Sequence, residues 1–430
     1  MRVLVINGVL SNGGDAAIYF AVKDMFAAAS GGRAEFAVMD DNPGVVRALY
    51  PDEKVVASCF PTIWWYYRYP RLLPLARLLR LTLVRLSMRL RRLGLGWLAT
   101  CFLGRDEARY VNLIDSADVV VATGGTYLTE NYDFRHRAFD MANAIRVGKP
   151  LICMSQSVGR VAGRPGAREL AWALSRARAV FARDQRSVTN LRDLMGRVRN
   201  VVSSPDVAFR FTDRPLRGTD RLAPKRVAVS VREWPYSKGA SSKQDMAAFE
   251  QAVGALCDRL ASEGCEVVML SSCQGVDGYR YDDSVVARRI ADACAHRDRI
   301  LVDSDFHTPD VLREMLAGFD VVVATRMHVG ILALSAGTPV FPIAYEFKSQ
   351  SLFRDLGYPE VIDFEGLTGE FLCDSFARFC ADWPAMSSDV GARIEDRRQA
   401  LDQAVEGIRH VMTPPVPAPV SAGAVQWRRS

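Results

Sequence analysis

The sequence predicts an α/β protein of two Rossmann-like domains facing a cleft, with a basic amphipathic helical insertion in the first. Three observations predict it. Short apolar runs alternate with helical segments along most of the chain, the pattern of parallel sheets covered by helices. A polar, proline-bearing stretch divides that alternation into two similar halves. The 430 residues also exceed one ordinary core and suit two domains of about 200 residues each. At 49% hydrophobic and 24% charged, the composition is globular and excludes disordered or fibrous classes.

Arg2–Asn7 reads as the first strand, and SNGGDAAIYFAVKDMF as a glycine-bearing turn that opens a helix. DVVVAT (118–123), PLICMS (150–155) and AVFA (179–182) are further strands, each followed by a polar loop and a helix. FTDRPLRGTDRLAPK, from Phe211 to Lys225, reads as the interdomain linker. A second series follows: RVAVSV from Arg226, EVVMLS from Glu266, Ile300–Val302, Asp320–Ala324 and Pro339–Ile343. The resulting division is a first domain 1–212, a linker 213–225, a second domain 226–388 and a helix 389–412 returning toward the first domain. The tail 413–430 has the composition of a disordered segment.

The net charge of +6 is unevenly spread. No acid occurs from Val55 to Arg105, a stretch holding nine arginines. Within the insertion 61–104, Leu72, Leu75, Leu79, Leu83, Leu86, Leu90 and Leu93 recur three or four apart and set one helical face. Arg77, Arg80, Arg85, Arg91 and Arg92 take the other side, and Trp64, Trp65, Tyr66 and Tyr67 precede the helix. The segment reads as a core-packing helix with a solvated basic face, or as a helix docked on an anionic membrane surface. The acid-free composition and the aromatic cluster favour docking on the cytoplasmic leaflet, and the leucine face argues against nucleic acid. Nine cysteines without CxxC or CxH spacing predict reduced thiols in a cytoplasmic protein and no structural metal. The N-terminus begins a strand without a secretory segment, and the uncharged run Met327–Tyr345 breaks into a helix and a strand at its glycines and prolines.

Candidate chemistry lies at four strand ends, where ligands bind in open parallel sheets. At Ser11-Asn12-Gly13-Gly14-Asp15, glycines allow close backbone approach and a helix N-terminus favours an anion. Asp15 there reads as a general base on a sugar hydroxyl, or as a first-turn acid answering the helix dipole. Thr123-Gly124-Gly125-Thr126 reads as a second strand-to-helix turn. Arg183, just past a short apolar strand, reads as an anion-binding arginine or as the structural partner of Asp184 or Asp206. In ATRMHVGILALSAG, Arg326 and His328 follow a buried strand and share one side if strand alternation persists, with a helix N-terminus aimed at the same place. Lys348 arrives at a neighbouring strand end twenty residues later, so arginine, imidazole, lysine and dipole together form an anion site. Neither GxGxxG nor GxxxxGKS occurs, so no dinucleotide or Walker-type site is indicated. Asp303-Ser304-Asp305 resembles a metal-binding DxD, but Thr308-Pro309 after it make a helix start and leave the acids as a polar loop.

Taken in order, NGGDAAI, GGTYL, SQSVG, FARDQRS, SPDVAF, VSVRE and TRMHVGILALSAGTPVFPIAYEFK resemble the motifs of the polysaccharide pyruvyl transferases. The resemblance covers most of residues 1–360, and its most specific element is the Arg-x-His with a lysine twenty residues on. It implies a GT-B-like fold. It also implies transfer of pyruvate from phosphoenolpyruvate onto two hydroxyls of a sugar in a cell-surface polysaccharide or its lipid-linked precursor, forming a cyclic ketal. By the resemblance, Arg183, Arg326, His328 and Lys348 bind the donor, His328 and Asp15 are catalytic, and Gly13, Gly14 and Gly125 form an acceptor-side loop. The basic insertion departs from the family pattern.

The implied chemistry agrees with the residues. A donor carrying a carboxylate and a phosphate needs several cations on one wall. Protonating its methylene carbon needs an acid, for which His328 is the candidate, and the attacking hydroxyl needs a base, for which Asp15 is the candidate. Arginine and lysine can carry the leaving phosphate's charge, so no metal and no cofactor is expected. The expected partners are phosphoenolpyruvate, the sugar acceptor and an anionic membrane surface, with the protein peripheral on the inner face of the cytoplasmic membrane. The rival readings are a nucleotide-sugar glycosyltransferase of the same fold and a non-catalytic membrane-docked scaffold for polysaccharide assembly.

Overall fold

The computed structural model describes residues 1–58, 73–196, 199–218, 223–233, 241–275, 281–364 and 366–412. Two parallel sheets organise them. The first has the strand order β3-β2-β1-β4-β6-β7-β8, with β5 beside β6. Its strands are β1 (Arg2–Gly8), β2 (Glu35–Asp40), β3 (Val55–Ala57), β4 (Val119–Ala122), β5 (Gly125–Leu128), β6 (Leu151–Val158), β7 (Ala179–Ala182) and β8 (Val201–Ser203). The second sheet runs β11-β10-β9-β12-β13-β14. It is built from β9 (Arg226–Ser230), β10 (Glu266–Leu270), β11 (Ile300–Asp303), β12 (Val321–Ala324), β13 (Val340–Ala344) and β14 (Ile362–Asp363).

Alternation along the central strands explains the layers. Val3, Val5, Val119 and Val121 face one way and pack with α1 (Gly13–Ala29), whereas Leu4, Ile6, Val120 and Ala122 face the other way. That second face is covered by α5 (Arg105–Ser116) and α6 (Arg135–Val147) through Tyr110, Ile114, Phe139 and Met141. The α1 side is continuous with the apolar core of the second domain. Joining it there are the short turn Val207–Phe211, α12 (Met327–Ser335) and the long closing helix α14 (Gly369–Met412). Near its end α14 returns to the first domain, where Arg409 Nε donates to Ala29 O at 3.3 Å. This helix starts twenty residues earlier than its sequence suggests and carries Pro384 inside it. The uncharged run from Met327 divides into α12 and β13, and among the described residues no helix is long and apolar enough to cross a membrane.

The insertion differs from its expected arrangement. Its helix α3 (Leu73–Arg92) lies over α5 and α6 as an outer layer, burying Val84, Ser87 and Met88. Three of the arginines expected on the free side, Arg80, Arg85 and Arg91, turn inward instead, while Arg92 stays exposed. Arg80 pairs with Glu107, Arg85 with Glu169, and Arg91 Nη1 with Asp115 Oδ2 at 2.6 Å. Acids on α5 and on α7 (Ala167–Leu174) draw these guanidinia in, and Leu75, Leu79, Leu86 and Leu93 of the leucine face are left outward. Trp64, Trp65, Tyr66, Tyr67, Leu72 and the tail 413–430 lie outside the described residues, as does the side chain of Arg77.

Candidate functional site

The order of each sheet reverses once, between β1 and β4 in the first and between β9 and β12 in the second. Such switch points open crevices beyond the carboxyl ends of the strands. In this chain the two crevices meet. Asn12 bridges Cys273, and Gly13 N donates to Ser272 O at 2.9 Å, so the start of α1 is laced to the end of β10.

The two glycines of NGGD have distinct steric reasons. A Cβ on Gly13 would stand 2.7 Å from Ser272 O, and one on Gly14 would stand 2.6 Å from His328 Nδ1. The glycines therefore admit the facing domain and its imidazole, where sequence reasoning expected them to admit a ligand. Asn12 caps α1 by accepting from Gly14 N at 2.9 Å, and Asp15 follows in the first turn. Burial pushes the Asp15 carboxyl above its ordinary range, more strongly than His328, Lys348 and Arg183 lower it. Gly125, at φ 151°, lies against Asp15, and a Cβ there would come within 3.3 Å of Asp15 Oδ1.

From the first domain comes Arg183, at the end of β7. Nε donates to Ser157 Oγ and Nη1 to Asp206 Oδ2, both at 2.6 Å. Its side chain is 5% exposed, yet Nη2 has no hydrogen-bond partner among the described residues. Asp206 also faces His328 Nε2 at 3.4 Å, an ion-pair distance without hydrogen-bond alignment. Burial alone would raise the Asp206 carboxyl, but Arg183 and His328 outweigh burial and hold it well below the usual carboxylate range. From the second domain, Lys348 Nζ donates to Thr126 Oγ1 at 3.2 Å and pairs with Glu346 at 2.8 Å.

These groups bound a cavity of about 500 Å³ between the domains. Arg183, Asp206, Lys348 and Thr126 line it, joined by Arg186 and Arg397. Asp15 and His328 are not on its lining but adjoin it: His328 faces the lining carboxylate of Asp206, and Lys348 and Arg183 act electrostatically on Asp15.

Arg326 does not join this set. It precedes α12, and its guanidinium forms a two-point pair with Asp283, Nε to Oδ2 at 2.9 Å, in the second domain's interior. The shared side expected of Arg326 and His328 required strand alternation, but the chain enters a helix at Met327. Residues two apart then diverge by roughly 200°. Asp283 accordingly takes one and Asp206 faces the other.

The second correction concerns GGTYL. Gly125–Leu128 is a strand beside β6, not a turn into a helix. A Cβ on Gly124 would fall 2.4 Å from Ser155 O, so glycine lets this chain press against β6. Ser155 itself has φ 49°, a strained value for a residue with a side chain, at the point where the β6–β7 register shifts. Asp303 pairs with His307 at 2.8 Å, and no group of three metal-ligating side chains forms among the described residues. Sequence reasoning missed Ser157, Glu346 and Thr126's contact with Lys348, and it met Asp206 only as a possible partner of Arg183. The signal available was SPDVAF itself, an acid followed at once by an apolar run.

The profile described as polysaccharide pyruvyl transferase matches residues 12–346, well over half of the chain. The chain belongs to the polysaccharide pyruvyl transferase family. The amylovoran biosynthesis protein AmsJ of Erwinia amylovora is 27% identical over 266 residues, 59% of this chain and 63% of that protein. The chain thus matches somewhat under two thirds of that relative's length. Among solved structures, the S. aureus MnaA–UDP co-structure superposes with a TM-score of 0.56 at 12% identity, covering 95% of this chain and 96% of that one. Anabaena HepE in complex with UDP gives 0.52 at 13% identity, covering 95% and 100%. These likenesses support the fold alone, a two-domain GT-B-like architecture that this family member shares with them.

Proposed function

We propose that this family member transfers pyruvate from phosphoenolpyruvate to two hydroxyls of a sugar in a surface polysaccharide or its precursor. The observation that carries the reading is Arg183, buried at the cavity wall with one guanidinium nitrogen unpartnered, opposite Lys348 of the other domain. A small donor carrying a carboxylate and a phosphate fits between two such cations, and charge-assisted contacts of this kind contribute roughly 1.5–3 kcal/mol each.

The reaction then proceeds as follows. An acid delivers a proton to the donor's methylene carbon, which becomes the ketal methyl group. The first sugar hydroxyl bonds to the adjacent carbon and yields its proton to a base. The carbon–oxygen bond to phosphate breaks, the second hydroxyl closes the ring, and its proton leaves with phosphate or to solvent. His328 is assigned as the acid and Asp15, beside it on α1, as the base. Burial raises the Asp15 pKa, which makes its carboxylate a stronger base than an exposed one. Arg183 and Lys348 take the charge of the departing phosphate, with no metal in the scheme. Gly13 and Gly14 serve this arrangement by seating Asp15 against His328, and Gly125 by leaving room beside Asp15.

A nucleotide-sugar glycosyltransferase is the alternative, since two similarly folded proteins are described with UDP. Against it, Arg326 is held by Asp283 in place of facing a diphosphate. The test is phosphate release from phosphoenolpyruvate with a panel of surface saccharides, alongside thermal shift with phosphoenolpyruvate and with UDP-sugars. Stabilisation by a UDP-sugar without any response to phosphoenolpyruvate would reverse the assignment.

A further inference from the structure

The surface of α3 presents the reverse of an ordinary amphipathic helix on a protein. Leu75 (73% exposed), Leu79, Leu86 and Leu93 follow one another at spacings of four, seven and seven, close to whole helical turns, and all face outward. Leu78 flanks them, and the chain just beyond adds Leu95, Trp97 (72% exposed) and Phe102 (66%). Isolated exposed leucines are unremarkable, but a row of this length continued by an exposed indole marks a surface that meets something apolar.

Charge decides what that is. Arg89 and Arg92 on the helix and Arg105 beyond it are exposed, and no acid occurs between Val55 and Arg105. Asp106, directly after Arg105, is exposed and pairs with Arg109, while Glu107, Glu169 and Asp115 are paired with the inward arginines Arg80, Arg85 and Arg91. Those pairs have two effects. They hold α3 with its leucines outward, and they remove negative charge from the ground beneath it. A protein partner with an ordinary mixed surface needs no such one-signed rim. A second copy of this chain would bring the same arginines into mutual repulsion.

We infer that the outward face of α3, continued by Trp97 and Phe102, docks on an anionic lipid surface, with leucines and the indole entering the headgroup boundary and Arg89 and Arg92 meeting lipid phosphates. The helix covers α5 and α6, on the side of the first sheet away from α1, and none of its residues lines the cavity. Docking there leaves the interdomain cleft free to admit substrate.

The experiment is flotation of the full-length protein with phosphatidylglycerol vesicles and with phosphatidylcholine vesicles, at low and high salt. Wild type is expected to float with phosphatidylglycerol at low salt and to be partly released at high salt. Arg89→Gln/Arg92→Gln is expected to weaken binding about tenfold or more. Leu79→Glu/Leu86→Glu/Trp97→Glu is expected to abolish it, with the melting temperature of each variant as a check on folding. Wild type remaining at the bottom with both vesicles overturns the inference. So does a stable dimer in light scattering that the leucine variant, still folded, converts to monomer.

Discussion

Asp206 of the first domain faces His328 of the second across the cleft, its Oδ2 3.4 Å from the imidazole Nε2. The same carboxylate oxygen accepts from Arg183 Nη1, so one buried acid aligns both a proposed donor-binding cation and the proposed acid. Removing its charge leaves Arg183 buried and uncompensated, a loss of about 3–5 kcal/mol where a buried pair is broken. Asp206→Asn is therefore expected to lower the melting temperature and to reduce kcat and donor affinity together. The sign of the pH effect follows from a folded-state pKa below the unfolded one. The pair's stabilisation is complete above the unfolded carboxyl's pKa and is lost only as pH falls through the folded value. Urea unfolding of wild type and variant across acid pH measures this, and parallel curves would refute it.

His328 and Gly14 make a linked prediction. His328→Asn is expected to reduce turnover by more than about a hundredfold, within the range of general acid catalysis. Gly14→Ala introduces a methyl group 2.6 Å from His328 Nδ1 and must push the ring or α1 away. Alanine is otherwise preferred to glycine in a helix by about 1 kcal/mol, so stability should fall little while turnover drops at least tenfold. Single-turnover kinetics with saturating donor separates this from a binding defect. Normal turnover in both variants removes His328 from the chemistry.

Much of this site was legible in the sequence because strand ends are. DVVVAT, AVFA and RVAVSV fall on β4, β7 and β9 within a residue or so, since short runs buried on both faces leave little else to be. β2, β3 and β8 were not read: β3 and β8 are three residues long at the ends of the sheet, and β2 is buried only along its second half. Two readings failed for one reason: local periodicity does not say where it stops. GGTYL continued as strand where a turn was expected, and TRMH became helix one residue too soon for Arg326 and His328 to share a side. The inward arginines of α3 could not be read at all, because their acids lie on α5 and α7, up to 84 residues away.

Asp15 offers a test with an opposite sign from Asp206. Its folded-state pKa is raised chiefly by burial, so its contribution to stability is fully present below the unfolded carboxyl's pKa. That contribution is lost as pH rises through the folded value. Asp15→Asn is thus expected to raise the melting temperature at neutral pH while lowering turnover by about a hundredfold or more. Wild-type kcat/KM should fall as the solution is acidified through the Asp15 pKa. An Asp15→Asn protein with full activity would leave Asp15 as a first-turn acid only.

Asp140 supplies a pH response apart from the cleft. Burial between α5 and α6 pushes its carboxyl up to about 7, although Tyr110 donates to it at 2.6 Å. Its stabilising effect is present below the unfolded carboxyl's pKa and disappears as pH climbs through about 7. Asp140→Asn keeps an acceptor for Tyr110 and is expected to remove much of the stability loss that wild type shows as pH rises from the ordinary carboxyl range to about 7. Thermal unfolding at stepped pH checks it, and indistinguishable profiles would count against it.

Arg326 and Asp283 decide between structure and binding. Burial would depress the arginine's pKa, but Asp283 more than offsets that and keeps the guanidinium charged. If the pair is structural, either single change, Arg326→Met or Asp283→Leu, leaves one buried charge alone and costs about 3–5 kcal/mol. The double variant leaves none, and apolar replacements of similar volume are often neutral relative to a buried pair. Its stability should recover most of the single-variant loss, and its Michaelis constant for phosphoenolpyruvate should stay within about threefold of wild type, under the 1.4 kcal/mol that a tenfold change represents. A donor-binding Arg326 gives another pattern: the double variant folds well but binds the donor at least about tenfold more weakly, the loss of one charge-assisted contact. Measuring stability and donor affinity on the same three proteins separates the two, because a structural pair couples the variants in stability and leaves affinity alone.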